Sequence, residues 1–332
     1  MVDVVGEELL EKKKYKKIAD AYNDALQMQG CMRDEMGQVK EFQFGGDKGM
    51  FMLNANDSAF LTPYSLGQLG GKYGISQSYI KKCVGAGYDD LIRHNFSRWM
   101  ENDEDVLLFR YFENKGVPVI RGILSTRYQR FDTTDIIEAL SESWLSSWDI
   151  RQSMMNPERL HLRLVSDVPI EVPNEDLFIG VTVDSSDVGR SAVLIRAIVF
   201  KQVCTNGLVL PMSVGDLYRQ VHVGAGADRF GERIAACLDT LSDFKEKASE
   251  MIIAGTRMGL PFEIGKEEEI DRWRNRYKIP KTLVENTLNL LNEGKYAMNR
   301  WGLINSMTEA AQIMPIESRI MAERVAGELL VA

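Results

Sequence analysis

Apolar and polar residues alternate in short runs through the middle of the chain, which is typical of β-strands with one face against a core. Such runs occupy 107–113, 117–125, 160–166, 177–183 and 192–203. The first two runs are separated by Asn-Lys-Gly, a short connection that predicts a hairpin. The pattern therefore predicts an antiparallel sheet.

A different spacing predicts the helices. From 228 to 252 apolar residues recur every three or four positions, as they do on one face of a helix. We expect one long helix here, packed against the sheet. The chain then breaks at 255–265 and continues in charged, helix-forming sequence. The predicted fold class is α+β, with a curved antiparallel sheet packed on a long helix and a helical C-terminal region.

These patterns divide the chain into three predicted parts. An N-terminal helical segment covers 1–40, an α+β core domain covers 41–258, and a helical C-terminal region covers 259–332. The last part alternates charged and apolar stretches around Trp273 and Trp301. We expect it to lie at the periphery and to supply the contacts of a homo-oligomer.

The last predicted strand ends in a corner whose sequence is Val203-Cys204-Thr205-Asn206-Gly207-Leu208-Val209. Asn-Gly is suited to a tight turn because glycine has no Cβ and asparagine tolerates positive φ. Three further segments accompany this corner in the chain. They are Leu61-Thr62 with Leu66, Leu69 and Tyr79-Ile80-Lys81-Lys82; Leu124-Ser125-Thr126-Arg127-Tyr128-Gln129-Arg130-Phe131-Asp132; and Trp301-Gly302-Leu303-Ile304-Asn305-Ser306-Met307-Thr308-Glu309.

Together, and in this order, these segments resemble the phage/plasmid-like protein family, domain of unknown function nine-three-two. The resemblance covers about residues 55–312. It implies a mobile-element context, and it implies no established activity.

Composition limits the classes of partner. The 332 residues are 45% hydrophobic and 27% charged, as in an ordinary soluble protein. A formal net charge of −8 argues against a protein that coats nucleic acid with its whole surface, so a nucleic-acid site would have to be a local patch. No apolar stretch approaches the ~20 residues that span a bilayer. We expect a cytoplasmic protein without a membrane partner.

Sequence motifs of known catalytic chemistry are missing. The chain has no phosphate-binding glycine loop, no nucleophile elbow and no zinc-hydrolase motif, and its four cysteines show no CxxC spacing. We therefore predict no cofactor, no metal and no catalytic residue. The acidic groups Asp89-Asp90, Asp103 with Asp105 and Glu267-Glu268-Glu269 keep a metal-dependent nuclease open as an alternative.

Positive charges lie within or beside the predicted strands. They are Arg110, Arg121, Arg127, Arg130, Arg163, Arg196 and Lys201. Because side chains alternate between the faces of a strand, these cations could gather on one face of the sheet; the alternative is that each is solvated or paired with an acid. Tyr128 and Phe131 lie among them, and cations with aromatic rings are the mixture that binds single strands.

The order of elements is similar to the core of Rad52-type single-strand annealing proteins. With the mobile-element resemblance, this makes binding of single-stranded nucleic acid, in an oligomeric annealing or recombination protein, the leading hypothesis. A non-enzymatic assembly or host-interaction protein is the alternative, and the net charge of −8 favours it.

A helix-turn-helix is a further interpretation of the region after residue 60. Thr62 and Pro63 are suited to begin one short helix, and Ser76 is suited to cap a second. The glycine-rich stretch between them would be the turn. Most helix pairs only pack together, so the sequence leaves both interpretations open.

Overall fold

The computed structural model describes residues 15–45, 51–53, 58–201, 207–209, 216–222 and 230–331. Antiparallel strand pairs and helices alternate along these residues, and the last part of the chain is helical. The predicted α+β class with a helical C-terminal region is confirmed.

One sheet is built from the N-terminal strands. Their bounds are Met32–Gln38 (β1), Gln43–Gly45 (β2), Phe51–Leu53 (β3), Ser58–Leu61 (β4), Val106–Asn114 (β5) and Val117–Ser125 (β6). The strand order is β1-β5-β6-β4-β3-β2, and the β4–β6 pair is parallel while the other pairs are antiparallel. Lys115 and Gly116, with φ of 51° and 79°, close the predicted β5–β6 hairpin.

A second sheet follows. Its strands are Asp149–Asn156 (β7), Arg159–Val172 (β8), Glu175–Ser185 (β9), Val193–Lys201 (β10), Gly207–Val209 (β11) and Asp216–Gln220 (β12). They pair antiparallel in the order β11-β10-β9-β8-β7, and β12 also pairs with β10. The predicted strands thus form two sheets instead of one, because alternation indicates which face of a strand is buried but not which strand is its neighbour.

The helices surround both sheets. Their bounds are Ile18–Gly30 (α1), Pro63–Lys72 (α2), Gln77–Ala86 (α3), Asp89–Met100 (α4), Thr133–Ser141 (α5), Phe230–Leu238 (α6), Leu241–Arg257 (α7), Glu267–Tyr277 (α8), Lys281–Asn292 (α9), Arg300–Ala310 (α10) and Ile316–Val331 (α11). A turn at Asp239 and Thr240 separates α6 from α7. The single long helix predicted over 228–252 is therefore wrong: the Thr240 hydroxyl donates to the Cys237 carbonyl at 2.7 Å, where α6 ends.

Each sheet has its own hydrophobic core. Helices α2, α3 and α4 pack on the first sheet, with Leu69 and Phe96 fully buried. Helices α1, α5 and those after residue 230 share the core of the second sheet, where Leu303, Met307 and Leu329 are at most 2% exposed. The expectation that the C-terminal helices are peripheral is wrong, because their apolar faces complete this core.

Two predicted features fall partly outside the described residues. They are the start of the N-terminal helix before residue 15 and positions 202–206 of the Cys204-Thr205-Asn206-Gly207 corner. Within the described ranges, no helix combines the length and the apolar character needed to cross a membrane.

Candidate nucleic-acid interface

Arg110 of β5 lies in the interior, where carboxylates from two other segments hold its guanidinium group. Its two Nη atoms donate to the two oxygens of Asp132 at 2.7 Å each, and its Nε donates to Asp34 at 3.0 Å. Nη1 also donates to the Asp187 carbonyl at 2.5 Å. Only 1% of Arg110 is exposed, so it joins β1, the start of α5 and the loop after β9, and it cannot reach a phosphate.

Arg121 lies at a β-bulge in β6 and connects the two sheets. Its Nη1 lies 3.3 Å from Asp187 and donates to the Pro157 carbonyl, and both side chains of the ion pair are 1% exposed. Asp187 also accepts bonds from the backbone N–H and the hydroxyl of Thr133, each at 3.0 Å. Burial raises the pKa of Asp187 to about 6, against the attraction of Arg121. This network fastens the first sheet to the loops of the second.

Arg163 of β8 forms an ion pair with Glu323 of α11. The Nη2–Oε2 distance is 2.6 Å, and each side chain is 2% exposed. Burial raises the pKa of Glu323, and the charge of Arg163 opposes this rise. The Nε and Nη1 atoms of Arg163 find no partner among the described residues. The pair holds the last helix against the second sheet across 160 positions of sequence.

The two cations of β10 are only partly exposed, and each has an acidic neighbour. Arg196 lies 3.6 Å from Asp184, and Lys201 lies 2.6 Å from Glu175. They are five positions apart in a strand with regular pairing to β9, so they lie on opposite faces of the sheet. They cannot both line one groove.

The segment after β6 keeps its two arginines at the surface. Arg127 is exposed, and 54% of the Arg130 side chain is exposed although it lies 3.2 Å from Asp34. The aromatic residues beside them, Tyr128 and Phe131, are engaged inside the protein. Tyr128 stacks on a histidine ring at 4.8 Å between centroids, and Phe131 is 2% exposed. Neither ring is presented for stacking on a base.

The seven predicted cations therefore do not form one basic face. The prediction that Arg110, Arg121 and Arg163 belong to an exposed interface is wrong. A cation buried among apolar neighbours needs a counter-charge, and each of the three has one. They also belong to two different sheets. Contact of nucleic acid with Arg127, Arg130, Arg196 or Lys201 stays a prediction.

A cleft at the C-terminal helices brings together arginines that lack an acid. Its volume is about 440 Å³, within the range of small-ligand sites. The lining residues are Pro261, Glu269, Arg272, Trp273, Arg276, Tyr277, Arg300 and Leu329. None of the three lining arginines forms an ion pair with a described residue. The cleft thus has an excess of positive charge in a chain whose net charge is −8.

Helix α8 positions five of the lining residues, four of which are basic or aromatic. Arg272 and Arg276 are four positions apart, as are Trp273 and Tyr277, so each pair lies on one side of the helix. Trp273 is 6% exposed, and its ring lies 6.4 Å from that of Tyr277 at an angle of 61°. The guanidinium carbon of Arg276 is 5.3 Å from the centre of the Tyr277 ring. The helix presents cations and rings side by side.

Two N–H donors of the cleft residues lack an acceptor. The indole Nε1 of Trp273 and the Nε of Arg300 are buried and have no partner among the described residues. The other Arg300 contact is long, with Nη1 3.5 Å from the Leu329 carbonyl. These nitrogen atoms are covered by protein, so the donors that a ligand in the cleft meets are the exposed guanidinium groups of Arg272 and Arg276.

Glu269, the acidic residue that lines the cleft, already has partners within the protein. Glu269 accepts a bond from the Glu263 backbone N–H at 3.0 Å and lies 3.6 Å from Lys266. The Glu263 bond and the positive charge of Lys266 keep the pKa of Glu269 below its usual value. The charge of Arg272 also contributes to this lowering, but no ion pair joins Glu269 to a cleft arginine, so one carboxylate faces three guanidinium groups.

Sequence reasoning missed this cleft because it assigned the C-terminal helices to oligomer contacts. A signal was present in Asp271-Arg272-Trp273-Arg274-Asn275-Arg276-Tyr277, where basic and aromatic residues alternate. Spacings of four place both pairs on neighbouring stripes of a helix. The contribution of Arg300, from α10, depends on tertiary packing and has no local signal.

The acids considered for a metal-dependent nuclease have other roles. Asp103 accepts a bond from the Tyr73 hydroxyl at 2.7 Å and lies 3.1 Å from Lys72. Asp89-Asp90 and Glu267-Glu268-Glu269 fall in the first turns of α4 and α8, where acids are favoured by the helix dipole. Among the described residues, no three His, Cys, Asp or Glu side chains are grouped to hold a metal ion.

A scan against protein-family models, a search of curated proteins and a search of solved structures each found no match. The family resemblance seen in the sequence motifs therefore stays an expectation.

Proposed function

We propose that this chain is a cytoplasmic, mobile-element-type protein that binds single-stranded nucleic acid, in the manner of an oligomeric annealing or recombination protein. The observation that carries the proposal is the cleft in which Arg272, Arg276 and Arg300 lie without acid partners beside Trp273 and Tyr277. The proposed binding site therefore lies at the C-terminal helices and not at the sheet face predicted from the sequence.

The chemistry of the cleft suits a single strand. Guanidinium groups bind phosphate through paired N–H donors, and an aromatic ring stacks on any base. Tyr277 is half-buried at the cleft, so one of its ring faces can meet a base, whereas Trp273 is buried and supports the wall of the cleft. Recognition of this type depends on phosphate charge and base stacking, and it is insensitive to sequence.

Binding of fluorescein-labelled oligothymidylate, followed by fluorescence anisotropy at about 50 and 200 mM salt, tests the proposal. We expect Arg272→Ala/Arg276→Ala to weaken binding by on the order of tenfold and to flatten the salt dependence by roughly 1.4 units, since each phosphate contact to a single strand contributes about 0.7.

Arg274→Ala is the matched control. Arg274 lies on the same helix, but its Nε lies 3.0 Å from Asp271, so its charge is already compensated. This variant should bind as the parent does. Binding curves of Arg272→Ala/Arg276→Ala that overlay those of the parent at both salt concentrations would remove the cleft as the site.

A second candidate function, assembly without nucleic acid, is favoured by a different surface. Leu91 and Trp99 are eight positions apart on α4 and are 46% and 60% exposed; with Tyr88, which is 55% exposed at the N-cap position, they form an exposed stripe. Exposed apolar and aromatic side chains of this kind are enriched in protein interfaces. We expect this stripe to contact a second copy of the chain, so that Leu91→Ser/Trp99→Ser lowers the mass measured by light scattering; an unchanged mass would contradict this assignment.

A further inference from the structure

Helices α2 and α3 begin at well-defined caps. The Thr62 hydroxyl accepts a bond from the Ser65 backbone N–H at 3.1 Å, and Pro63 occupies the first position of α2. The Ser76 hydroxyl accepts a bond from the Tyr79 backbone N–H at 3.2 Å. Both caps predicted from the sequence are confirmed, and they fix where the two helices start.

The connection between these helices is short and tightly packed. It spans 73–76, and Gly74 adopts a φ of 70°, which favours glycine. The Ile75 backbone N–H donates to the Gly70 carbonyl at 2.8 Å. A Cβ on Gly70 would lie 2.7 Å from the Ile75 carbonyl oxygen, so only glycine allows this approach. Two short helices joined by a short, glycine-containing turn are the arrangement that presents a helix to the major groove of DNA.

The two sides of α3 differ sharply. Ile80 and Cys83 are 5% and 4% exposed and face the first core. The opposite stripe, at helical spacing, consists of Ser78, Lys81, Lys82 and Gly85, all exposed. Lys81 and Lys82 form no ion pair with a described residue, and the α3 sequence contains no acid. The outward side of α3 is therefore polar and positively charged.

The cations of the neighbouring helices are only partly available. Lys72 pairs with Asp103 and Asp105, and Arg98 pairs with Glu101, so these two charges are compensated. Lys81, Lys82 and Arg93 form no ion pair with a described residue, and they leave local positive charge at α3 in a chain whose net charge is −8. A local basic face in an acidic protein is complementary to the phosphates of a nucleic acid.

We propose that α2 and α3 form a second nucleic-acid site that binds duplex DNA, with α3 in the major groove. Lys81 and Lys82 contact phosphates, and Ser78 in the first turn of α3 reaches the base edges. Gly85 has no side chain and a Cβ there would meet nothing within 4 Å, so the DNA backbone can approach the end of the helix. This site packs on the first sheet, whereas the cleft belongs to the core of the second, and neither proposal depends on the other.

Anisotropy with a fluorescein-labelled duplex of about 24 base pairs, at about 50 and 150 mM salt, tests this proposal. We expect the parent to bind and Lys81→Ala/Lys82→Ala to weaken binding by about tenfold or more, with a salt dependence flatter by roughly two units. Lys247→Ala/Lys281→Ala removes the same charge from exposed positions of α7 and α9 and should bind as the parent does.

Gly85→Glu provides a second variant that keeps the fold, because its side chain enters open space. Its added negative charge should weaken duplex binding to a similar extent. A parent that binds no duplex at 50 mM salt, or two α3 variants that bind like the parent, would overturn the proposal. The α3 variants should keep their affinity for oligothymidylate, and Arg272→Ala/Arg276→Ala should keep its affinity for the duplex, so failure of one site is distinguishable from failure of the other.

Discussion

The interior arginines and the cleft arginines of this protein have opposite surroundings. Arg110, Arg121 and Arg163 lie in strands, are at most 2% exposed, and each contacts a carboxylate. Arg272, Arg276 and Arg300 lie on helices around an open cleft, and no described acid pairs with them. The first set joins segments of the chain, whereas we propose that the second set binds an external anion.

The difference shows what an arginine among apolar neighbours indicates. A buried strand removes the guanidinium group from water, and the free-energy cost is tolerable only if the fold supplies a counter-charge. An apolar sequence context therefore predicts pairing within the protein. An arginine on an amphipathic helix stays near water and can remain unpaired until a ligand arrives.

The largest effect on stability is expected at the buried ion pair between Arg163 of the second sheet and Glu323 of α11. Arg163→Met leaves the Glu323 carboxylate buried without its partner, and we expect the free energy of unfolding to fall by about 3–5 kcal/mol. Urea denaturation followed by circular dichroism measures this loss. The variant Arg163→Met/Glu323→Leu, which removes both charges, should recover most of the stability; an equal loss in both variants would mean that packing and not charge is responsible.

The stability lost in Arg163→Met should also depend on pH. Burial already raises the pKa of Glu323 in the parent, and removing Arg163 raises it further. A carboxyl whose folded pKa exceeds its unfolded value stabilises the protein below the unfolded pKa, and this contribution is lost as the pH rises. The deficit of Arg163→Met relative to the parent should therefore be smaller at pH 5 than at pH 8. A deficit that grows on acidification would contradict the assigned role of Glu323.

Local patterns predicted the elements of the fold well. Alternation located the strands, and Thr62 and Ser76 identified the caps of α2 and α3, because a capping hydroxyl accepts from the backbone N–H only three positions later. Sheet membership was not predictable in this way. The β4–β6 and β1–β5 pairs join residues far apart in sequence, and their partners are selected by packing of the whole core.

The candidate site was harder to predict from the sequence, because it also depends on contacts between distant residues. That Arg163 lies in a strand could be predicted, but its partner Glu323 is 160 positions away on a helix whose docking no local pattern describes. Arg272 and Arg276 have a local signal in their spacing. Arg300 joins them only because α10 packs beside α8, so the cleft is a product of tertiary structure.

A substitution of Tyr277 tests the contribution of base stacking separately from that of charge. Tyr277→Leu keeps an apolar side chain of moderate size but removes the ring, and base stacking on one aromatic residue contributes about 1–3 kcal/mol. We expect on the order of a tenfold loss of affinity for oligothymidylate with an unchanged salt dependence. A change in the salt dependence instead would mean that the substitution disturbs the neighbouring arginines.

The smallest effect is expected at the surface pair of α8. The Arg274 and Asp271 side chains are 29% and 62% exposed, and exposed pairs of this kind contribute about 0.2–1 kcal/mol. Asp271→Asn should therefore change the free energy of unfolding by less than about 1 kcal/mol in urea denaturation. A loss comparable to that of Arg163→Met would show that exposure does not limit the contribution of an ion pair to stability.

The most direct test measures stability and binding on the same two variants, Arg163→Met and Arg276→Ala. Urea denaturation and oligothymidylate anisotropy are recorded for each, at a temperature where both are folded. The account predicts that Arg163→Met loses stability and keeps its affinity, while Arg276→Ala loses affinity severalfold and changes stability by less than about 0.5 kcal/mol. A folded Arg163→Met that loses affinity, together with an Arg276→Ala that binds like the parent, would contradict the account.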